Sequence, residues 1–134
     1  MEVMGDSCVR IRMRTVVLDC PDARALAEFY AKLLGWSITC SEPDWVLMRD
    51  PSGGTGLSFQ SEPLYQPPVW PEQPEQPQKM LHLDFLVDDL QRAEAHAINC
   101  GARLSPNQFL AGVRVLFDPA GHPFCLFTDP SVTI

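Results

Sequence analysis

The sequence repeats itself at an offset of about 67 residues, and this repeat constrains the fold more than any other feature. An alternating segment begins at Thr15 and a similar one begins at His82, and each ends in an aspartate that precedes a helical pattern. The glycines that follow the two helical patterns, Gly35 and Gly101, are 66 residues apart. The sequence therefore predicts two copies of one structural unit.

Each copy contains one amphipathic helix. Apolar residues at helical spacing predict a first helix over residues 21–34 and a second, with a weaker apolar stripe, over residues 89–100. Asp22 is a suitable N-cap for the first helix, and Gly35 and Gly101 are suitable C-terminal stops.

A second landmark in each copy is a D-P-x-G turn, at residues 50–53 and again at 118–121. Proline at the second position and glycine at the fourth suit a type I turn followed by a left-handed residue. Alternating runs flank both turns, which is typical of β-hairpins. Together with a short strand after each helix, every copy reads strand, helix, strand, strand, strand.

We therefore predict an α+β fold in which two βαβββ modules in tandem form curved mixed sheets around a cleft, with the helices outside. The first module spans about 11–62 and the second about 80–129, within a single domain over 1–134. The intervening residues 63–79 contain six prolines and predict a semi-rigid, polyproline-like tether.

Composition limits the partners and the location. The net charge is −7, so no basic face is expected for nucleic acid or an anionic membrane, and no apolar run is long enough to span a bilayer. The five cysteines are widely spaced, which indicates reduced thiols in a cytoplasmic protein. The acidic N-terminus does not resemble a signal peptide, and residues 1–10 are expected to be a tail.

Alternation along the strands separates an apolar face, which takes the helix, from a mixed face that lines the cleft. The mixed faces carry the predicted ligand-binding residues, which are Asp19, Trp45, Gln60, His82, Asp84, Cys125 and Phe127. His82 and Asp84 are also the candidates for general-base catalysis. Alternatively, His82 is a hydrogen-bonded core histidine, Asp84 a buried, satisfied carboxylate and Cys125 a buried apolar thiol.

Three segments, 16–36, 82–90 and 118–127, resemble the vicinal oxygen chelate superfamily, the group of glyoxalases, bleomycin resistance proteins and extradiol dioxygenases. The chain is most similar to its glyoxalase-like subgroup. This resemblance implies paired βαβββ modules and a homodimer. In metal-dependent members it also implies four metal ligands, whose positions fall on Thr15, near Ser58, His82 and Cys125.

Two of those four positions carry hydroxyl groups, which are poor ligands for a catalytic divalent metal. We therefore predict a metal-free protein that binds a cationic or aromatic small molecule, without a cofactor. The alternative is a divalent metal held by His82 and Cys125, in a lyase, isomerase or dioxygenase.

Other aromatic and histidine residues receive structural interpretations. Trp36 is expected to pack in the core, and Tyr65 and Trp70 of the tether to pack on the body of the protein, on a dimer partner or as a lid over the cleft. His96 and His122 are expected to face solvent.

Overall fold

A computed structural model of the chain describes residues 9–134. Residues 1–8, which include Cys8 and most of the expected N-terminal tail, lie outside the described part. The elements in chain order are β1 (Thr15–Cys20), α1 (Ala23–Leu34), β2 (Ile38–Glu42), β3 (Trp45–Met48), β4 (Gly56–Ser61), β5 (Leu83–Leu86), α2 (Leu90–Cys100), β6 (Arg103–Leu104), β7 (Val113–Phe117) and β8 (Pro123–Phe127). Neither helix is long and apolar enough to cross a membrane.

The strands form two four-stranded mixed sheets with the same topology. Their orders are β1-β4-β3-β2 and β5-β8-β7-β6. In each sheet the first strand pairs in parallel with the last strand of its module, and the other pairs are antiparallel. The predicted α+β fold of two tandem βαβββ modules is therefore confirmed, whereas the proposed module boundaries stay a prediction.

The helix termini follow the predicted capping chemistry. The Asp22 side chain accepts hydrogen bonds from the first-turn amides of α1, and Asp89 caps α2 in the same way. Gly35 ends α1 with φ of 72°, and Gly101 ends α2 with φ of 123°. Both φ values lie in the region that favours glycine, which explains why the repeat keeps glycine at these two positions.

Both D-P-x-G turns form as predicted. The Gly53 amide donates to the Asp50 carbonyl at 3.0 Å, and the Gly121 amide donates to the Asp118 carbonyl at 2.9 Å. The two glycines have φ of 90° and 95°. Each turn therefore closes a hairpin that brings the last two strands of its module side by side.

A single apolar core joins the two modules. Tyr30 of α1 is fully buried, and its ring stacks on Phe59 of the first sheet at a centroid distance of 5.7 Å. The same ring lies 6.4 Å from Phe85 and 6.3 Å from Phe124, both in the second sheet. Helix α1 also contacts α2. The helices thus cover one face of the sheets, and the mixed faces point away from this core; Trp36 packs against it, as predicted.

The proline-rich tether folds back on itself instead of running in one direction between the modules, and its semi-rigid, polyproline-like character stays a prediction. The Val69 amide donates to the Pro77 carbonyl at 2.7 Å, and a turn at Gln73–Gln76 reverses the chain. Proline fixes φ but does not prevent such a turn, and the aromatic side chains of the tether bury apolar area by packing on the second module. Tyr65 and Trp70 make those contacts, as described below, which confirms their predicted packing on the body.

Candidate functional site

On the second sheet the fold brings three predicted site residues together. Asp84 of β5 and Cys125 of β8 are paired neighbours in the parallel ladder. His82, just before β5, places its Nε2 3.2 Å from Asp84 Oδ1. One ligand atom from each of the three residues lies within 4.8 Å of the others.

The tether contacts this group through Trp70. The Trp70 indole stacks on the His82 imidazole, with centroids 6.0 Å apart and ring planes 18° from parallel. Lys79 Nζ lies 4.2 Å from the centre of the Trp70 ring and 2.7 Å from a Glu72 carboxylate oxygen. One face of the His82 ring therefore lies against the Trp70 indole, which comes from the tether and not from either sheet.

The Cys125 thiol is held in its neutral form. Its side chain is buried, and this burial, followed by the nearby Asp84 carboxylate, raises the pKa of the thiol to about 11. Asp84 therefore lies next to both the His82 ring and the Cys125 thiol, while its own side chain stays largely exposed.

The first sheet carries a second group of predicted residues, arranged in one row across its mixed face. Asp19 on β1 pairs with Gln60 on β4, and Gln60 pairs with Trp45 on β3. Glu42 on the edge strand β2 continues the row beyond Trp45. Residues paired in this way present their side chains to the same face. The Gln60 amide donates to a Glu62 carboxylate oxygen at 2.7 Å, which places another negative charge beside the row.

A cleft of about 430 Å³ lies between β1 and the tether. Apolar and polar residues both line it. The apolar ones are Val17, Leu18, Leu64, Pro68, Met80 and Leu81, and the polar and charged ones are Asp19, Glu62, Tyr65, Gln66, Gln78, Lys79 and His122. Asp19, at one end of the row, therefore also lines this cleft, whereas Gln60 and Trp45 do not.

Sequence comparison identifies the family of this fold. The model of the glyoxalase-like domain family matches residues 15–127. The chain belongs to this family. The match and the fold place the glyoxalase-like domain in the vicinal oxygen chelate superfamily, as the sequence motifs predicted. None of the curated proteins compared with it matches.

Solved structures share the fold of the glyoxalase-like domain at low sequence identity. A glyoxalase/dioxygenase from Nostoc punctiforme is 20% identical, with 97% of this chain and 98% of that chain covered and a TM-score of 0.64. A glyoxalase/bleomycin resistance protein/dioxygenase family enzyme from Burkholderia phytofirmans PsJN is also 20% identical, covering 85% and 95%, with a TM-score of 0.64. An antibiotic binding protein from Streptomyces sp. CB03234 is 18% identical, covering 89% and 96%, with a TM-score of 0.59.

The four metal-ligand positions implied by the superfamily do not fit a metal in this glyoxalase-like domain. Thr15 and Ser58, at the two first-sheet positions, use their hydroxyl groups to hydrogen-bond each other at 2.9 Å. Both groups are poor metal ligands. His82 and Cys125 remain on the second sheet, where Asp84 could act as a third donor. Such a set suits zinc with an open coordination position, but the thiol must lose its proton first.

The predicted site residues of the glyoxalase-like domain are thus placed in two groups. Asp19, Gln60 and Trp45 form the row on the first sheet, and His82, Asp84 and Cys125 form the cluster on the second. Phe127 lies on the second sheet, paired with Leu86 and Val113, and is half-buried.

Sequence reasoning missed a second polar cluster, and the prediction that His122 faces solvent is wrong. The His122 ring is 18% exposed, and its Nδ1 lies 2.9 Å from Oδ2 of Asp118, whose side chain is fully buried. Tyr30 donates its hydroxyl hydrogen to the same oxygen at 2.8 Å. Burial and Asp118 raise the pKa of Tyr30 well above its usual value, so it stays neutral. His96 is exposed, as predicted, with Nε2 3.1 Å from the Leu33 carbonyl oxygen.

One signal in the sequence could have found this cluster. The residue after the second D-P-x-G turn is His122, whereas the residue after the first is Gly54. A titratable side chain at one of two otherwise matching turns departs from the repeat, and such departures are where a function can be added to a fold.

Proposed function

We propose that this chain binds a small, flat organic cation on the mixed face of the first sheet, without a metal. The observation that carries the proposal is the row of Asp19, Gln60 and Trp45, whose Asp19 end lines the 430 Å³ cleft. An indole ring attracts a cation to its face and stacks on a flat ring. The neighbouring carboxylates offset the ligand's positive charge.

The charge around the row supports a cation rather than an anion. Asp19 and Glu42 lie at its two ends, and Glu62 holds the Gln60 amide in place. The net charge of −7 has the same sign. An antibiotic binding protein from Streptomyces shares this fold, so the fold is compatible with binding an organic ligand. The homodimer remains part of the proposal because apolar side chains outside the cleft, such as Ile11, Phe109 and Leu110, are exposed. The cytoplasmic location also remains part of the proposal, because it fits the four free thiols among residues 9–134.

The test uses N-methylquinolinium as the cationic probe and quinoline, uncharged at pH 8, as its neutral analogue. Titration calorimetry should show saturable binding of the cation and at least about fivefold weaker binding of quinoline, since an exposed charge–charge contact and a cation–π contact together contribute about 1 kcal/mol or more. Trp45→Leu should weaken the cation and leave the fold intact by circular dichroism.

A matched pair of charge variants gives the control. Asp19→Asn should weaken binding about two- to fivefold, because it removes one exposed carboxylate from the row. Glu28→Gln removes a carboxylate from the helix side, where Glu28 pairs with Arg24 at 3.0 Å, and should leave binding unchanged. Equal binding of the two probes, or equal effects of the two variants, would overturn the proposal.

A second candidate function is an enzyme that uses a divalent metal. It is favoured by the three donor atoms of His82, Asp84 and Cys125, which lie within 4.8 Å of one another. A zinc ion in such a site would act as a Lewis acid toward a bound carbonyl or water. Incubation with Zn²⁺, Ni²⁺, Mn²⁺ or Fe²⁺, followed by desalting and metal analysis, decides between the two. One retained ion per chain, lost in His82→Ala, would refute the metal-free proposal.

A further inference from the structure

His122 and Asp118 form a buried pair at the wall of the cleft, outside the proposed cation row. Asp118 Oδ1 accepts hydrogen bonds from the amides of Ala120 and His122 at 2.9 and 3.0 Å. Its Oδ2 accepts from the Tyr30 hydroxyl at 2.8 Å and faces His122 Nδ1 at 2.9 Å. A carboxylate has no hydrogen to donate, so Asp118 can only accept a hydrogen bond from the imidazole. Nδ1 therefore carries a hydrogen. In the neutral ring, the lone pair is then on Nε2.

The hydrogen-bond partners of Nε2 suit a group that gains and loses a proton. Tyr65 Oη lies 3.3 Å from His122 Nε2 and 2.9 Å from the Ala120 carbonyl oxygen. The Tyr65 hydroxyl donates its hydrogen to the Ala120 carbonyl, which leaves the Nε2 lone pair able to accept a proton from another group. Once Nε2 is protonated, the same hydroxyl keeps this bond and accepts from Nε2–H. Burial, with Asp118 nearby, raises the pKa of Tyr65, so this hydroxyl stays neutral throughout.

The repeat supplies an internal control against a purely structural role. The turn at Asp50 closes with the same backbone hydrogen bond, at 3.0 Å. Its aspartate side chain accepts instead from the amide and hydroxyl of Ser52, at the surface, with Gly54 in the position of His122. Closing this turn therefore requires neither a buried carboxylate nor a histidine.

The residues that line the cleft show which groups lie near His122. Asp19, Glu62 and Lys79 are the other charged groups that line it, together with both polar and apolar residues. Asp19 is also the end of the cation row. Asp19, Glu62 and His122 line the same cleft, so a ligand that places its cation beside the two carboxylates has its aromatic body in a space that His122 also borders.

We propose that His122 is the proton acceptor for a hydroxylated aromatic cation bound in this cleft, with Asp118 as its positioning residue and Tyr65 as its hydroxyl partner. The proton moves from the ligand's phenolic oxygen to Nε2, and the O–H electron pair stays on that oxygen. The products are a bound phenolate and an imidazolium, which the Asp118 carboxylate stabilises. Reversal of this transfer regenerates the neutral ring when the ligand leaves. The inference rests on the proposed function for the cationic end of the ligand only.

The probe is N-methyl-6-hydroxyquinolinium, whose absorption spectrum distinguishes the phenol from the phenolate. At a pH about one unit below the probe's own midpoint, the bound probe should show a phenolate fraction at least about threefold above that of the free probe, since a base next to an acid favours its ionised form. His122→Gln should bind the probe within about tenfold, as the lost contact is a single hydrogen bond, but should show the phenolate fraction of the free probe. His96→Gln, at the exposed histidine of α2, should behave like the native protein.

The outcomes separate this inference from the proposed function. A raised phenolate fraction that survives in His122→Gln would overturn the role of His122. Absence of binding by both quinolinium probes would refute the proposed function itself. A measurement without ligand then still decides the proton-acceptor role, because ¹⁵N-resolved spectra of the histidine rings report which nitrogen carries the hydrogen. The neutral His122 ring should be protonated on Nδ1, and Asp118→Asn should remove that preference while Tyr65→Phe retains it. A native ring protonated on Nε2 would overturn the inference.

Discussion

Replacing Tyr30 by phenylalanine tests the buried hydrogen bond that joins helix α1 to the second module. The substitution keeps the ring that packs between the sheets and removes only the hydroxyl that donates to Asp118 at 2.8 Å. A hydrogen bond to a charged group contributes about 1.5–3 kcal/mol, and Asp118 keeps its other donors. We expect a loss of about 2 kcal/mol, which lowers Tm by about 8 °C in a domain of this size.

The assay is thermal unfolding and urea denaturation, followed by circular dichroism, with Tyr65→Phe as the matched control. Tyr65 is half-buried, and its hydroxyl donates to the neutral carbonyl of Ala120 at 2.9 Å. Loss of a neutral hydrogen bond costs about 1 kcal/mol, or about 4 °C in Tm. Equal losses in the two variants, or a Tyr30→Phe protein as stable as the native chain, would refute the reasoning that the buried carboxylate strengthens this bond.

Three further predictions follow from burial and backbone geometry. Cys40 is exposed, whereas Cys125 is buried and its pKa is raised to about 11. Ellman's reagent at pH 8 should therefore modify Cys40 before Cys125, and peptide mass spectrometry should find Cys125 modified only after unfolding. Because a thiol in the unfolded chain titrates near 9.0, the native state keeps a proton on Cys125 that the unfolded state releases. The free energy of unfolding should therefore fall as the pH rises from about 9 to 11. Urea denaturation of Cys125→Ala should show a smaller fall over the same pH range. Gly121→Ala should lower the free energy of unfolding by about 1–3 kcal/mol more than Gly53→Ala, as measured by urea denaturation. Both residues have positive φ, but only at Gly121 would the added Cβ lie 2.7 Å from a Pro67 side-chain carbon. Equal losses in the two variants would contradict this contact.

The local elements were predictable because their signals are local. Alternation separated Leu18 and Cys20, which are buried in the core, from Asp19, which is exposed. The caps at Asp22 and Gly35 form with the residue types that their geometry requires. The two-module architecture followed from the repeat of these signals, without knowledge of any contact between the modules.

The contacts between distant segments were not predictable in this way. Tyr30 and Asp118 are 88 residues apart, and nothing in either local pattern indicates that they meet. The two D-P-x-G turns carry the same local signal, yet the Asp50 side chain makes its hydrogen bonds at the surface whereas the Asp118 side chain is buried. The difference arises because α1 and the tether pack over the second turn.

The candidate site was predicted as one set of residues because both mixed faces were expected to line a common cleft. Strand alternation assigns Trp45 and Cys125 each to a mixed face, but the distance between two sheets depends on the shared core and on the tether. Alternation therefore assigns each residue to a face, but it could not show that Asp19, Gln60 and Trp45 lie in one row and that His82, Asp84 and Cys125 lie in one cluster. The position of Trp70 over His82 had no sequence signal beyond the general expectation that an aromatic tether residue packs on the body.

The burial of Tyr30 between both sheets has a consequence for how the chain can be divided. A fragment ending in the tether turn would keep Tyr30 but lose Phe85, Phe124 and Asp118, and the remaining fragment would lose the side chain that fills its own apolar surface. Two such fragments, produced by a cut between Gln73 and Gln76, should be unstructured alone and should reassemble when mixed, since each supplies the missing half of one core. The duplicated halves of the sequence therefore behave as complementary pieces that depend on each other to fold.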